Sequence, residues 1–386
     1  MDIWSVTQPH IGIVSPEFPP DIGGIENYAL GYVLALAKLD YRVTVFTRKH
    51  GQGEISLPDI EIRPVLKLRR ALDRGVIKNP AIDVWHCMNA AYAWVAEETH
   101  RPVVVSVHGN DFLHAYIPMT APAIYQFGPL WRWETQLRKL DHLWLSNSTT
   151  KIKQWLPKTT GIVTNSHYTE KVLLEKIPAC RGKTLTALVA FDPFFLELPL
   201  HPDERHDPVQ LISITRLSEP RKNIHRVLKA LSTLKNKYDF RYTIVGDGAY
   251  RSDLEALASQ LGLAERVQFT GKLSGPELRE TLLQSDLFIL TSSILPTSHE
   301  GFGLVYLEAA ACGVPSLAAR IAGAAEAIED GISGYFVDEP ETDNIAAALD
   351  RFLGRDIRFS RSRCREFSRR FSWEQVVDKA VPFYNV

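Results

Sequence analysis

Pro199-Leu-His-Pro-Asp-Glu-Arg-His-Asp-Pro208, and the run Gln210-Leu-Ile-Ser-Ile-Thr215 just after it, decide the fold. The first stretch is polar and holds three prolines, the composition of a linker between domains. The second is a short apolar run of the kind a buried parallel strand needs. The same rhythm runs on both sides of the break. Upstream lie the apolar runs Ile11–Val14, Arg42–Thr47, Val84–His86, Pro102–Val107, Leu143–Ser146 and Gly161–Thr164, with a helix through Tyr28–Leu39. Downstream, Tyr242–Val245, Val267–Thr270 and Leu287–Leu290 alternate with helical stretches near Asn223–Tyr238, Arg251–Leu261, Pro276–Ser285 and Gly303–Cys312. Short apolar runs between helices predict parallel sheets covered on both faces, here twice in one chain. The expectation is an α/β protein with an N-terminal domain over residues 1–200 and a C-terminal domain over 209–371. Phe371–Tyr384 reads as an amphipathic helix opening on a Ser cap, free to pack on either domain.

Composition narrows the function. The chain has 386 residues, 45% hydrophobic and 23% charged, which suits two soluble globular domains. A formal net charge of −1 gives no global attraction to nucleic acid. Four scattered cysteines with no CxxC pair argue against zinc and disulfides and suit a reducing cytoplasm. The N-terminus lacks a basic and an apolar region, so no signal peptide is expected, and no run approaches a membrane span.

Where two doubly wound units meet, ligands are expected beyond the carboxyl ends of the strands. The richest segment there is Glu300-Gly-Phe-Gly-Leu-Val-Tyr-Leu-Glu308. Gly301 and Gly303 let backbone approach a ligand, and the helix start offers free amides to an anion. Glu300 and Glu308 are acceptors suited to sugar and ribose hydroxyls; read alone, the segment is equally an acidic helix start. Arg216 and Lys222 follow the strand ending at Thr215 and suit a diphosphate, or a solvated basic loop in which Arg221 is one more cation. Gly246-Asp-Gly248 is a tight turn, and Gly23-Gly24 ends a loop before a helix. His108, right after an apolar strand, is either a positioning group or a satisfied structural histidine. Asp111 either orients a sugar or caps a turn.

In order and spacing these pieces resemble the family-4 retaining glycosyltransferases of the GT-B fold. The resemblance is carried by Phe18-Pro-Pro-Asp-Ile-Gly-Gly-Ile-Glu26, His108-Gly-Asn-Asp111, Asn165-Ser-His-Tyr-Thr169, Arg216 with Lys222, Val245-Gly-Asp-Gly248, Phe269-Thr-Gly271, the glutamate pair and Gly323-Ala-Ala-Glu326. It implies two facing Rossmann-like domains with a cleft between them, and a C-terminal helix, 372–386, returning to the first domain. It also implies catalytic roles for Glu300, His108, Arg216 and Lys222. Gly23, Gly24, Gly301, Phe302, Gly303, Leu304, Glu308, Gly246 and Lys272 would bind the donor, and Asp111 and Asn110 the acceptor. No metal or other cofactor is expected, because fixed cations can take the diphosphate charge. The expected partners are a UDP-sugar, UDP-glucose by preference, and a glycan or lipid-linked acceptor, in bacterial polysaccharide or glycoconjugate synthesis. The protein is expected in the cytoplasm or at the inner face of the plasma membrane, as a monomer or homodimer. The basic-aromatic stretches Lys67–Arg74 and Tyr125–Lys139 read as solvated helix faces or as a peripheral membrane contact. Other classes with a similar pocket are a nucleotide-sugar 2-epimerase, a noncatalytic sugar-nucleotide-binding protein and a two-lobed periplasmic binding protein.

Overall fold

A computed structural model of the chain describes residues 8–21, 23–49, 56–123, 133, 136 and 138–385. These divide into two compact units: Met1–Phe191 with Ser372–Val386, and Asp192–Phe371. The described residues of the first unit hold a seven-stranded parallel sheet in the order β3-β2-β1-β4-β5-β6-β7. Its strands are β1 Ile11–Val14, β2 Val43–Arg48, β3 Ile60–Leu66, β4 Val84–Cys87, β5 Val103–Val107, β6 Gly161–Thr164 and β7 Thr184–Thr186. The second unit holds a six-stranded parallel sheet in the order β10-β9-β8-β11-β12-β13. These are β8 Val209–Ile214, β9 Phe240–Val245, β10 Val267–Gly271, β11 Leu287–Leu290, β12 Ser316–Ala319 and β13 Gly334–Val337.

Each sheet reverses its winding once, between β1 and β4 and between β8 and β11, which puts a ligand-binding switch point beyond those carboxyl ends. The central strands are apolar throughout because both faces are covered: β1, β4, β5 and β11 are buried at every position. Helix α1 (Gly24–Lys38) buries Tyr28, Ala29, Tyr32, Val33, Ala35 and Leu36, the spacing of one helical face.

Three sequence expectations change. Leu143–Ser146 is not a strand: a 3-10 turn, Asp141–Trp144, leads into helix α2 (Leu145–Trp155). Leu143 is 63% exposed, and the apolar positions that are buried, Ile152 and Trp155, follow the helical repeat instead. The change of unit falls at Phe191/Asp192, ahead of Pro199–Pro208. That segment is no free linker. Arg205 stacks on Phe352 at 3.9 Å and donates to the Ile357 carbonyl, and Asp203 accepts from the Arg361 amide, so it is fastened to the second unit. Nor is Lys67–Arg74 an open basic face. Arg69 is 4% exposed and donates twice to Asp141 at 3.0 Å, while Arg70 pairs with Glu97 and Glu98. Most of Tyr125–Lys139 lies outside the described residues.

The C-terminal segment belongs to the first unit. After α1 and α2 come α3 (His167–Lys176), α4 (Ile224–Leu234), α5 (Arg251–Gln260), α6 (Gly275–Leu283), α7 (Leu304–Ala311), α8 (Thr342–Leu353), α9 (Arg361–Ser368) and α10 (Trp373–Ala380). Ser372 caps α10 by accepting from the Gln375 amide. The indole of Trp373 fills the space a side chain at Gly31 would take: a Cβ there would lie 2.2 Å from Cε2.

Candidate active site

In the second unit the loop after β8 carries the cations. Asn223 adopts the left-handed conformation (φ 58°), which Asn tolerates, and its amide donates to the Thr291 carbonyl at 2.6 Å and to Ser293 Oγ at 2.8 Å. Ser293 N donates in turn to the Arg221 carbonyl at 2.7 Å. These bonds staple the loop to the end of β11 and so bring Lys222 to Glu300. Lys222 Nζ is 2.6 Å from Glu300 Oε2, Arg221 Nη1 is 3.6 Å away, and Ser292 Oγ donates at 3.1 Å. Burial by itself would raise the Glu300 pKa. The charges of Lys222 and Arg221, with the Lys222 and Ser292 hydrogen bonds, outweigh it and hold the carboxyl at about 2.

Arg221 is therefore part of the site, 7% exposed and also paired with Glu219 at 2.7 Å. Sequence reading left it as a solvated cation, since nothing in its immediate neighbours distinguishes it from Arg216. Arg216 is the exposed one, and its guanidinium has no carboxylate partner among the described residues. It shares a pocket with Lys222, Glu219, Tyr250 and Asp253.

Gly246 seats the turn after β9 on neighbouring backbone. Its amide donates to the Gly271 carbonyl at 2.8 Å, and with φ at 130° a Cβ would lie 1.9 Å from the Thr215 carbonyl oxygen. The turn thus seats directly on the backbone that carries Arg216. Lys272 is exposed just past β10.

Gly303 caps α7 with φ 90°, a conformation that favours glycine. The 3-10 turn Ala322–Glu326 braces the loop before it: Gly323 N donates to the Glu300 carbonyl at 3.0 Å, and a Cβ at 323 would be 2.0 Å from the Gly301 oxygen. Phe302 is buried against Phe371, so only its backbone can face a ligand, and Gly301 and Leu304 are half-buried. Glu308 is 4% exposed with no hydrogen-bonding or cationic partner among the described residues. Burial, with Asp192 nearby, pushes its pKa up to about 8. A buried acceptor without a donor is chemically unfinished, and two ligand hydroxyls would complete it.

In the first unit, Gly23 and Gly24 start α1, and a Cβ at Gly24 would meet nothing within 4 Å. His108 Nε2 lies 3.1 Å from the Met88 carbonyl. A carbonyl only accepts, so Nε2 holds the proton and Nδ1 is left as an acceptor. Burial lowers the His108 pKa to about 4, against the Met88 hydrogen bond, and the ring is neutral near pH 7. Asp111 turns inward. It is 2% exposed, and its oxygens accept from the Ala90 and His108 amides at 2.9 and 3.0 Å. It caps the His108 turn, the second of the two readings that its place in the sequence allowed. Asn110 is half-buried on the same turn.

A group that sequence reading missed lies at this sheet's switch point. Glu17 follows β1, and its Oε2 accepts from Asn89 and Tyr116, both at 3.1 Å. Burial and the Glu26 carboxylate raise its pKa to about 7, against the Asn89 and Tyr116 hydrogen bonds, and Oε1 has no partner among the described residues. The only signal in the sequence was its place between a strand and the glycine pair.

Comparison with known proteins agrees with this geometry. Residues 22–184 match the family described as Glycosyltransferase Family 4, and residues 200–371 the one described as Glycosyl transferases group 1. A GDP-mannose-dependent alpha-(1-6)-phosphatidylinositol monomannoside mannosyltransferase of Mycolicibacterium smegmatis is 26% identical over 364 residues, 88% of each chain. Sucrose-phosphate synthase from Thermosynechococcus elongatus superposes with a TM-score of 0.74 at 18% identity, over 98% of both chains. Anabaena HepE in complex with UDP-glucose gives 0.69 at 19% identity, over 98% of this chain and 100% of that one. With both halves matched in their proper order, and with the two sheets the fold requires, this chain belongs to the family-4, group 1 glycosyltransferases of the GT-B fold.

Proposed function

We propose that this glycosyltransferase moves a hexose from a nucleoside diphosphate sugar, UDP-glucose by preference, to an acceptor hydroxyl with retention of configuration and without a metal ion. The observation that carries the reading is the pairing of Lys222 with Glu300 beside an Arg216 that has no carboxylate partner among the described residues. A diphosphate gains charge as its bond to the sugar breaks, and fixed cations stabilise that charge most. Within the second unit Glu308 accepts the ribose hydroxyls and Glu300 a sugar hydroxyl; the first unit offers Nδ1 of His108 as an acceptor for a hydroxyl of the donor sugar. In the transfer step the acceptor oxygen bonds to the anomeric carbon as the carbon–phosphate oxygen bond breaks. The acceptor proton passes to the departing phosphate oxygen, so no protein base is consumed.

The preference for UDP draws support from the UDP-glucose complex of HepE, while the M. smegmatis relative names GDP-mannose as its donor. Glu17 Oε1 and Tyr116 supply polar groups for an acceptor. Leu140, Leu143 and Trp144, exposed before and at the start of α2, favour a peripheral contact with the inner face of a membrane carrying a lipid-linked acceptor. No helix among the described residues is long and apolar enough to cross one. The test is a thermal-shift screen of UDP-glucose, UDP-galactose and GDP-mannose, followed by product analysis. A ligand at 100 times its dissociation constant adds about 2.7 kcal/mol of stability. No shift with any of the three contradicts the donor assignment. An isomerised free nucleotide sugar with no new glycosidic bond identifies an epimerase instead.

A further inference from the structure

A chain of buried polar groups crosses the core of the first unit. Tyr32 Oη is 2.6 Å from Tyr384 Oη, which is 2.6 Å from His86 Nδ1. His86 Nε2 is 2.9 Å from Ser106 Oγ, and Ser106 Oγ is 3.3 Å from Tyr28 Oη. All five residues are 3% exposed or less. Apolar side chains could fill this volume without any requirement for partners, so the polar chain imposes geometry rather than merely occupying space. His86 is kept neutral, its pKa lowered to about 3 by burial and by His108. One of its ring nitrogens therefore donates and the other accepts, which gives the whole chain a single direction of donation. Each hydroxyl can satisfy its neighbour in only one rotamer, and the order ends on the hydroxyl of Tyr28.

The Tyr28 ring meets His108 edge-on, with centroids 4.5 Å apart at 75°. Its other contacts are Tyr32, stacked at 5.9 Å, and Trp373, edge-on at 5.3 Å. Two of the groups that brace Tyr28 thus come from the C-terminal return: Trp373 directly and Tyr384 through the polar chain. His108 is held on one side by the Met88 carbonyl and on another by Tyr28, and these together fix where Nδ1 points.

We propose that Tyr384 is a positioning residue for His108, acting through His86, Ser106 and Tyr28, so that the C-terminal segment sets the orientation in which His108 receives the donor sugar. The proposal rests on the reading of His108 as a donor-sugar contact. It makes the last residues of the chain part of the site's support without touching substrate.

The test uses the full chain and whichever of UDP-glucose and GDP-mannose the wild type hydrolyses. Tyr384→Phe is expected to lower kcat for donor hydrolysis about tenfold, with KM and UDP affinity held within about twofold, as a displaced positioning group does. In a His108→Ala background the same substitution should change kcat by less than about twofold, because coupled residues are non-additive. Ser106→Ala, which removes the hydroxyl linking His86 to Tyr28 and leaves the C-terminal segment untouched, should repeat the pattern if Tyr384→Phe folds poorly. The ring ¹⁵N and ¹H shifts of His108 in labelled protein, which sense the edge-on Tyr28 ring, should move in Tyr384→Phe, independently of turnover. Equal kcat losses in both backgrounds, or unchanged His108 shifts, would overturn the proposal. A His108→Ala protein with wild-type kcat would instead remove the reading of His108 itself.

Discussion

Replacing Glu300 by Gln keeps the shape of the side chain and removes its charge. In the ligand-free protein this carboxylate is 12% exposed and faces Lys222 at 2.6 Å and Arg221 at 3.6 Å. Burial opposes its ionisation, yet its pKa falls from 4.5 to about 2. At ~1.4 kcal/mol per unit, that difference is about 3 kcal/mol of preference for an anion at this point. A diphosphate arriving at Lys222 competes with Glu300 for the same ammonium. If the ligand recovers half of that preference in Glu300→Gln, UDP binds about tenfold more tightly, roughly 1.4 kcal/mol, while sugar transfer is lost. Isothermal titration with UDP at low ionic strength and pH 7 reads this directly, since screening would shrink the effect. Unchanged or weaker UDP binding would refute the sharing of Lys222 between Glu300 and the diphosphate. Stability gives a second check. A carboxyl whose folded pKa is depressed contributes stability that is full above its unfolded value of 4.5 and is lost as pH falls toward 2. Glu300→Gln should therefore melt below the wild type at pH 7, with the gap closing under pH 4.

Three further outcomes follow from the same geometry. Gly24→Ala places its methyl in open space, so it should raise stability by about 0.4–1 kcal/mol while lowering donor hydrolysis; an unchanged rate would remove Gly24 from the donor site. Gly323→Ala drives a Cβ to within 2.0 Å of the Gly301 oxygen and should cost about 1–3 kcal/mol, with weaker UDP binding by calorimetry. Glu308 has a raised pKa, so the folded state holds its proton more tightly and loses stability from pH 4.5 up to about 8. Glu308→Gln should match the wild-type melting temperature near pH 4.5 and exceed it increasingly to pH 8; parallel curves would refute the buried, unpartnered reading.

The central strands were legible because a strand covered on both faces must be apolar along its length, as Leu287–Leu290 is. Edge strands obey no such rule. Ile60–Leu66 alternates buried or half-buried with exposed positions and contains Pro64, and Thr184–Thr186 is an exposed Leu185 between two half-buried threonines, so neither stood out. Leu143–Ser146 misled for the opposite reason, as an apolar run that faces solvent. In the site, the spacing of Glu300 and Glu308 and the presence of Lys222 could be read directly. That Arg221 is buried, or that Asp111 faces inward, depends on partners far along the chain: Thr291 and Ser293 hold the cationic loop, and Ala90 turns Asp111. The role of Gly246 was hidden likewise, because what it approaches is the backbone of a different strand.

Gly31 and Gly161 are notches into which Trp373 and Phe383 insert, with a Cβ at either position falling 2.2 Å from the incoming ring. These contacts link early and late positions as lock and key, so the two ends of the sequence cannot drift independently. Among related chains, a larger residue at 31 should be accompanied by loss of the indole at 373, and likewise for 161 and 383. The same fit bears on dissection of the protein. A fragment ending at residue 191 would leave Tyr32 and His86 without Tyr384, whereas one that rejoins residues 372–386 to it would restore every partner named here.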